Sequence, residues 1–481
     1  MVTEWEFPEA GPMPEHSVAR ATSARVSGIS NPITDDAVVV IPGIMGTELV
    51  DTATGKLIWG LHPGLLARMW SAPVGGLAPL AFDPERNSVK PARLLRVPAF
   101  APFLAGIEPY TKLVRRLRET VRDPAAVLEF GYDWRLPVRH NAVLLAEAID
   151  AHLARWRAAS DRPRARIHLV AHSMGGLLCH SLAAIPGAME NVANVVTLGT
   201  PFEGAPKVVL TIASGSGAPV PARGLRAVAA TMPGLYDLLP TYRCVDDGDV
   251  VRRLTAADIG NIGGRTDLAR DAFEHKDTLA AVAIASHRPL IGVAQPTVCS
   301  LSIDAGQAEP LYHTFEVDAD GALSTRPDST LLRLPGRGDG TVPRNSAVPH
   351  HHRETVPLPQ QHGPLAQTDE AIAFVLDRLL HRDTGPRLGE ADLGMHSPDL
   401  VRPGQEFTID ILGIDSPVDA RVTITDVADN EPISRPRLEF REGRIVAPVT
   451  VHAPGLYRAT VAGSGTSPVT QLFLAPDRVD A

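Results

Sequence analysis

Cysteine is nearly absent: Cys179, Cys244 and Cys299 are the three in 481 residues, and they lie far apart. So odd and sparse a set builds no disulfide framework and fits a reducing compartment. Cys179 falls on an expected helix, where it reads as core packing. Long apolar runs are missing too. No stretch reaches the roughly 18 residues of a membrane-spanning helix. The opening, Met1-Val2-Thr3-Glu4-Trp5-Glu6, has neither the basic start nor the apolar stretch of a secretory signal. Positive charge is in deficit, with 46 Lys and Arg against 55 Asp and Glu, a net charge of −9 and a pI near 6.0. A nucleic-acid partner needs a basic face, so that class is excluded. Bulk attraction to anionic membranes is disfavoured by the same balance. No internal repeat is found. The expectation is a soluble, cytoplasmic protein without a transmembrane segment.

What is present argues for an enzyme-like architecture. The length exceeds one ordinary hydrophobic core and points to two units. Residues 1–36, rich in Pro, Ser, Ala and Glu, read as a flexible N-terminal arm. Ala37-Val38-Val39-Val40-Ile41 then forms an unbroken run that suits a strand buried on both faces. Apolar positions Ile107, Tyr110, Leu113, Leu117 and Val121 recur at helical spacing, which predicts a helix over 107–121. Leu145, Ile149, Leu153 and Trp156 predict a second over about 141–157. Strands follow at Ile167–Val170, Val195–Leu198 and Leu290–Val293, and a helix near 367–380 closes the unit. Strand and helix alternate, so the expected fold class is α/β with a mostly parallel central sheet over 37–385. Two stretches break the rhythm and read as lid or cap insertions. Residues 57–106 carry Trp59, Leu61, Leu65, Leu66, Met69 and Trp70; residues 206–285 show helical patches and no clear strand. Past Gly385-Pro386 the pattern changes to period two, as in Phe407–Ile411 and Arg421–Thr425. Residues 390–481 therefore predict a small Ig-like antiparallel β-sandwich.

The strongest local signal is Ala171-His172-Ser173-Met174-Gly175-Gly176. A strand enters it and an apolar helical segment leaves it, the setting in which a tight turn lifts a serine Oγ above the strand ends. An ordinary serine at a strand-to-helix turn is the plainer alternative, and the strand and helix context weighs against it. The Met174 amide would face a developing oxyanion. A second amide comes from Pro42-Gly43-Ile44-Met45-Gly46, with Ile44 as the chosen donor. A serine nucleophile needs a base and a carboxylate to orient it, in the order Ser, acid, His. Asp339 lies in the turn Gly338-Asp339-Gly340-Thr341-Val342. His362 follows the extended run Thr355–Leu358 in Gln360-Gln361-His362-Gly363. His350-His351-His352 lack partners at ligand spacing and read as a solvated loop, so no metal is expected. His172 reads as packing beside the turn.

Five segments in order make the chain resemble the lecithin:cholesterol acyltransferase family of the α/β-hydrolase superfamily, which includes lysosomal phospholipase A2 and the phospholipid:diacylglycerol acyltransferases. They are Val40–Leu49, Gly131-Tyr132-Asp133-Trp134-Arg135, Ala171–Gly176, Gly199-Thr200-Pro201-Phe202-Glu203-Gly204 and Gly338–Val342. The resemblance implies an α/β-hydrolase fold and acyl transfer from a lipid-like ester through an acyl-serine, without a cofactor. It carries the nucleophile to Ser173, the acid to Asp339, the base to His362 and the oxyanion amides to Ile44 and Met174. It gives Asp133 and Trp134 a bracing role. Residues 57–106 sit where the family carries its membrane-contacting insertion, so a transient lipid-interface contact is expected there. The C-terminal sandwich has no counterpart in the family pattern. Two other functions remain open: a catalytically silent binding or scaffold protein on the same fold, and a serine amidase or peptidase.

Overall fold

The structure, a computed structural model, describes residues 34–60, 77–85, 88–96, 99–101, 105–107, 109–215, 222–317, 322–349, 355–381, 393–463 and 467–476. Six strands build the central sheet: β1 (Ala37–Ile41), β2 (Val127–Glu129), β3 (Ile167–His172), β4 (Val192–Leu198), β5 (His287–Val293) and β6 (Val356–Pro359). Their spatial order is β6-β5-β4-β3-β1-β2, and every neighbouring pair is parallel. β1 and β3 are buried along their whole length. Continuous apolar runs rather than alternating ones are what a sheet covered on both faces requires.

Helix α1 (Thr111–Arg118) is shorter than the 107–121 expected from spacing. Pro109 disfavours helical backbone at the residue before it, and Ala105–Ile107 pairs instead with Ala99–Ala101 as a short hairpin. Helix α2 (Val138–Ser160) buries Leu145, Ile149, Leu153 and Trp156 on one face and ends at Asp161, which turns left-handed at φ 53°. Truncating Leu145 to alanine costs about 2–5 kcal/mol by the usual core scale. Helix α3 (Met174–Ala183) packs on α2 and leaves directly from the end of β3. Helix α4 (Thr266–Leu279) lies farther along, and α5 (Asp369–Leu379) packs against β4. The Thr368 side chain caps α5 by accepting from the Ala371 amide at 3.2 Å. Among the described residues, no helix is long and apolar enough to cross a membrane.

The 206–285 stretch differs from expectation. It holds two strands, Arg243–Asp246 and Val251–Arg253, which join Ser300–Asp304 and Gln307–Leu311 in a separate four-stranded sheet. Three or four residues are too few for period-two alternation to show. In the 57–106 stretch, Lys56–Trp59 and Val89–Leu94 pair antiparallel with Thr47–Asp51. Trp59 is core: its Nε1 donates to Met45 O at 2.7 Å, and its ring stands edge-on to Trp134 at 5.9 Å. Leu61, Leu65, Leu66, Met69 and Trp70 lie outside the described residues, as do nearly all of the N-terminal 1–36 stretch and Gly385-Pro386.

The C-terminal strands are β7 (Gly394–His396), β8 (Phe407–Leu412), β9 (Ala420–Asp426), β10 (Pro432–Ser434), β11 (Glu439–Arg441), β12 (Arg444–Val449), β13 (Gly455–Gly463) and β14 (Val469–Ala475). They form two antiparallel four-stranded sheets, β7-β8-β12-β11 and β10-β9-β13-β14. Met395, Ile409, Ile411, Val422, Ile424, Ala447, Val461 and Phe473 share a core of their own. The alternate residues Thr408, Asp410, Arg421 and Thr423 are less buried, as period two demands. Strand β14 also runs beside the Ala99–Ala101 and Ala105–Ile107 hairpin.

Candidate active site

Ser173 stands between β3 and α3 at φ 52° and ψ −127°, a strained setting for a residue with a Cβ. Its amide donates to Leu198 O at 2.9 Å, and its carbonyl accepts from Gly176 N at 2.9 Å, so the turn is pinned on both sides. The side chain is 2% exposed. His362 Nε2 lies 2.8 Å from Ser173 Oγ, and His362 Nδ1 lies 2.7 Å from Asp339 Oδ2. With Nδ1 protonated toward the carboxylate, Nε2 is left as the acceptor of the serine proton. The structure thus brings together three residues that are 166 and 23 positions apart in sequence (339 − 173 and 362 − 339).

Asp339 is fixed from three sides. Its Oδ1 accepts from the amides of Thr341 at 3.0 Å and Val342 at 2.6 Å, and its own carbonyl accepts from His362 N at 2.8 Å. Its Cβ rests on β5: a Cβ on Gly292 would lie 2.3 Å from it, so only glycine fits there. Asp339 is 1% exposed, and three hydrogen bonds to Oδ1 and Oδ2 satisfy a carboxylate that burial alone would penalise.

The loop after β1 passes beside the serine, since a Cβ on Gly43 would lie 2.9 Å from Ser173 Cβ. The Gly43 amide donates to Tyr110 Oη at 2.9 Å. The next amide, Ile44 N, has no hydrogen-bond partner among the described residues, and neither does Met174 N at the first turn of α3. Amides at a helix start lack intrahelical acceptors and carry the positive end of the helix dipole. Two amides without a partner are thus found next to the serine, Met174 N directly after it in the chain and Ile44 N one residue past the Gly43 that packs on it.

His172 has a fuller part than packing. Its Nδ1 lies 2.8 Å from Tyr110 Oη, and its Nε2 lies 3.1 Å from the His362 carbonyl. Tyr110 accepts from Gly43 N and donates to His172 Nδ1, while His172 Nε2–H donates to His362 O. The chain of bonds runs from the Ile44 loop to the backbone of His362 with each donor matched to an acceptor. It requires a neutral imidazole. Burial, helped by the nearby His362, holds the His172 pKa down to about 3. Nothing local in the sequence marks Tyr110, which is 62 residues from His172 (172 − 110).

Asp133 and Arg135 form a buried ion pair at 2.7 Å, and Trp134 Nε1 donates to Thr47 O at 3.2 Å. The first tie is local to the segment after β2, and the second joins that segment to the Thr47–Asp51 strand. His350, His351 and His352 lie outside the described residues. Cys179, Cys244 and Cys299 are free and buried, and burial pushes each thiol up to about 12, so none supplies a thiolate near neutral pH.

Residues 99–266 match the family model of lecithin:cholesterol acyltransferase. A Saccharomyces cerevisiae protein described as "Uncharacterized protein YJR098C" is 24% identical over 181 residues, 37% of this chain and 25% of its own length. The chain thus spans about a quarter of the length of the curated relative it matches. Among solved structures, a chain of the Tle4-Tli4 complex aligns with TM-score 0.51 and 16% identity over 73% of this chain and 99% of its own. Bacillus licheniformis lipase BlEst2 in its propeptide form aligns with TM-score 0.35 and 11% identity over 93% of this chain and 95% of its own. The fold is that of an α/β-hydrolase with a parallel central sheet of six strands, followed by antiparallel C-terminal sheets.

Proposed function

We propose that this chain is a serine-dependent acyl-ester hydrolase or O-acyltransferase that acts on a lipid-like ester through an acyl-serine. The observation that carries the reading is the Ser173–His362–Asp339 line, at 2.8 and 2.7 Å. Ser173 Oγ attacks the ester carbonyl while His362 Nε2 takes its proton. The Ile44 and Met174 amides receive the oxyanion, each such donor being worth roughly 3–4 kcal/mol. Collapse breaks the ester C–O bond, and the leaving alkoxide takes the proton from His362. Water or an alcohol, deprotonated by the same imidazole, then attacks the acyl-serine and frees Ser173. Asp339 keeps Nδ1 protonated and compensates the imidazolium.

The lipid-like substrate rests on the family match over residues 99–266. The test combines a fluorophosphonate probe with a panel of acyl esters of varied chain length, with and without an alcohol acceptor. One adduct at Ser173 and turnover of esters are expected. Intact protein without an adduct would favour a silent binding or scaffold role, and turnover confined to amides would favour a peptidase.

A further inference from the structure

We propose that the C-terminal sandwich is a working part of this active site, because it sets the position of the His362 loop through Gln360 and Gln361. The inference rests on the reading of His362 as the base. The two glutamines directly precede His362 where β6 ends, and both turn their amides toward the sandwich.

Gln360 is 1% exposed. Its Nε2 donates to Pro468 O at 2.9 Å, and its Oε1 accepts from Thr470 N at 3.0 Å, so one side chain closes a two-point clamp onto the start of β14. The same Oε1 accepts from Gln361 N at 2.9 Å, which fixes the backbone one residue before the histidine. Gln361 Nε2 donates to Met395 O in β7 at 2.9 Å. It also lies 3.3 Å from Gln295 Oε1 and 3.4 Å from Gln471 Oε1.

Gln295 extends the clamp to the acid. It follows β5, bridges in parallel to Asp339, and is fully buried. Its Oε1 accepts from Met395 N at 3.0 Å, and its Nε2 reaches Leu393 O at 3.3 Å. The Gln361 side chain lies against the turn after Asp339, where a Cβ on Gly340 would come within 2.3 Å of Gln361 Oε1. Strand β7 is thereby bonded to Gln361 before the base and to Gln295, which bridges to Asp339.

A module joined only by a linker needs no such seam. These bonds run from side chains of the α/β part to backbone groups of β7 and β14, so the sandwich must dock in one register to satisfy them. A buried donor or acceptor left without its partner at such a place is costly. A His362 displaced by about 1 Å from Oγ costs on the order of 100-fold in rate. These glutamines act through His362, so they are positioning residues.

The experiment uses the full chain, with Gln361→Ala, Gln361→Glu and the milder Gln471→Ala beside wild type. Turnover of a short soluble ester, fluorophosphonate labelling rate, the pH profile of kcat/KM and Tm are followed together. Gln361→Ala should lower kcat and the labelling rate about 10–100-fold with KM within twofold, and should displace the acid limb of the pH profile. Gln361→Glu keeps the volume but cannot donate to Met395 O, so it should lose as much. Gln471→Ala should fall between these and wild type, and it carries the test alone if Gln361→Ala fails to fold. Arg444→Ala, which breaks the exposed Arg444–Asp410 pair of the sandwich and none of the seam's hydrogen bonds, should match wild type. Folded Gln361 variants, or folded Gln471→Ala alone, with wild-type kcat, labelling rate and pH profile would overturn the proposal. Full activity in Ser173→Ala would instead overturn the reading on which it rests.

Discussion

Two serine–histidine pairs stand at opposite ends of α3, and their distances are the same. Ser173 Oγ lies 2.8 Å from His362 Nε2, and Ser181 Oγ lies 2.8 Å from His275 Nε2 on α4. Everything around the two differs. Ser173 sits at a strained φ of 52° before the helix, with free amides beside it; Ser181 lies inside the helix, whose amides are spent on its own turns. His362 has Asp339 behind it at 2.7 Å, whereas no carboxylate hydrogen-bonds to His275 among the described residues. The nearby Asp271 is engaged by Arg139 at 2.7 Å. Burial, then repulsion from Arg139, pulls the His275 pKa down. The Ser181 pair also lines a cavity of about 890 Å³ that Ser173, Asp339 and His362 do not touch. A short serine–histidine contact and a roomy cavity are thus found together where the unpartnered amides and the histidine-bound carboxylate are not. Pairing distance and cavity size are poor guides; the full set of partners is the informative quantity.

The comparison can be broken by substitution. Ser173→Ala and His362→Gln should each lower kcat about 10⁶-fold, the scale on which losing either reactive member of such a triad falls. Asp339→Asn should cost about 10⁴-fold, since the wrong imidazole tautomer is then favoured. Steady-state turnover of a soluble ester checks both, and a loss under tenfold in any of them contradicts the assignment.

A smaller effect is read in stability. His172 is held near pKa 3 in the folded chain and titrates near 6.5 when unfolded. The unfolded state therefore takes up a proton first as pH falls. The stability of the neutral buried imidazole is complete above about pH 6.5 and declines between there and about pH 3. The non-titrating His172→Gln should be less stable at pH 7.5, and urea unfolding should show that gap narrowing by about 1.4 kcal/mol per pH unit below 6.5. A gap that stays constant down to pH 4.5 would mean the imidazole is not held neutral. The smallest effect belongs to the second pair: Ser181→Ala should keep turnover within twofold and leave probe labelling unchanged. An adduct on Ser181 would erase the distinction between the two pairs.

The parts legible in the sequence are those written in one contiguous segment. The β1 run, the Ala171–Gly176 elbow, the Asp339 turn and the His362 loop each carry their signal within about six residues, and the structure sets the last three in contact. Tyr110, Gln295 and Gln361 were illegible because their partners are distant: Tyr110 meets residues 67 positions before it and 62 after it. No periodicity encodes such a meeting. His172 was half legible, since its place beside the turn follows from the elbow but its bond to the His362 carbonyl does not. The small sheet of Arg243–Asp246 and Val251–Arg253 escaped for a different reason. Its strands pair with Ser300–Asp304 or with each other across a turn, and alone they are too short to alternate.

The contact between Gly292 and Asp339 bears on how such chains should be judged by inheritance. A methyl group at position 292 would lie 2.3 Å from the aspartate Cβ, so strand or turn must shift, and a shift of the turn is expected to draw Asp339 from the imidazole. A descendant with serine, aspartate and histidine intact but alanine at 292 would spell a live enzyme and be a dead one. The letter that separates the two fates bears no proton and touches no substrate.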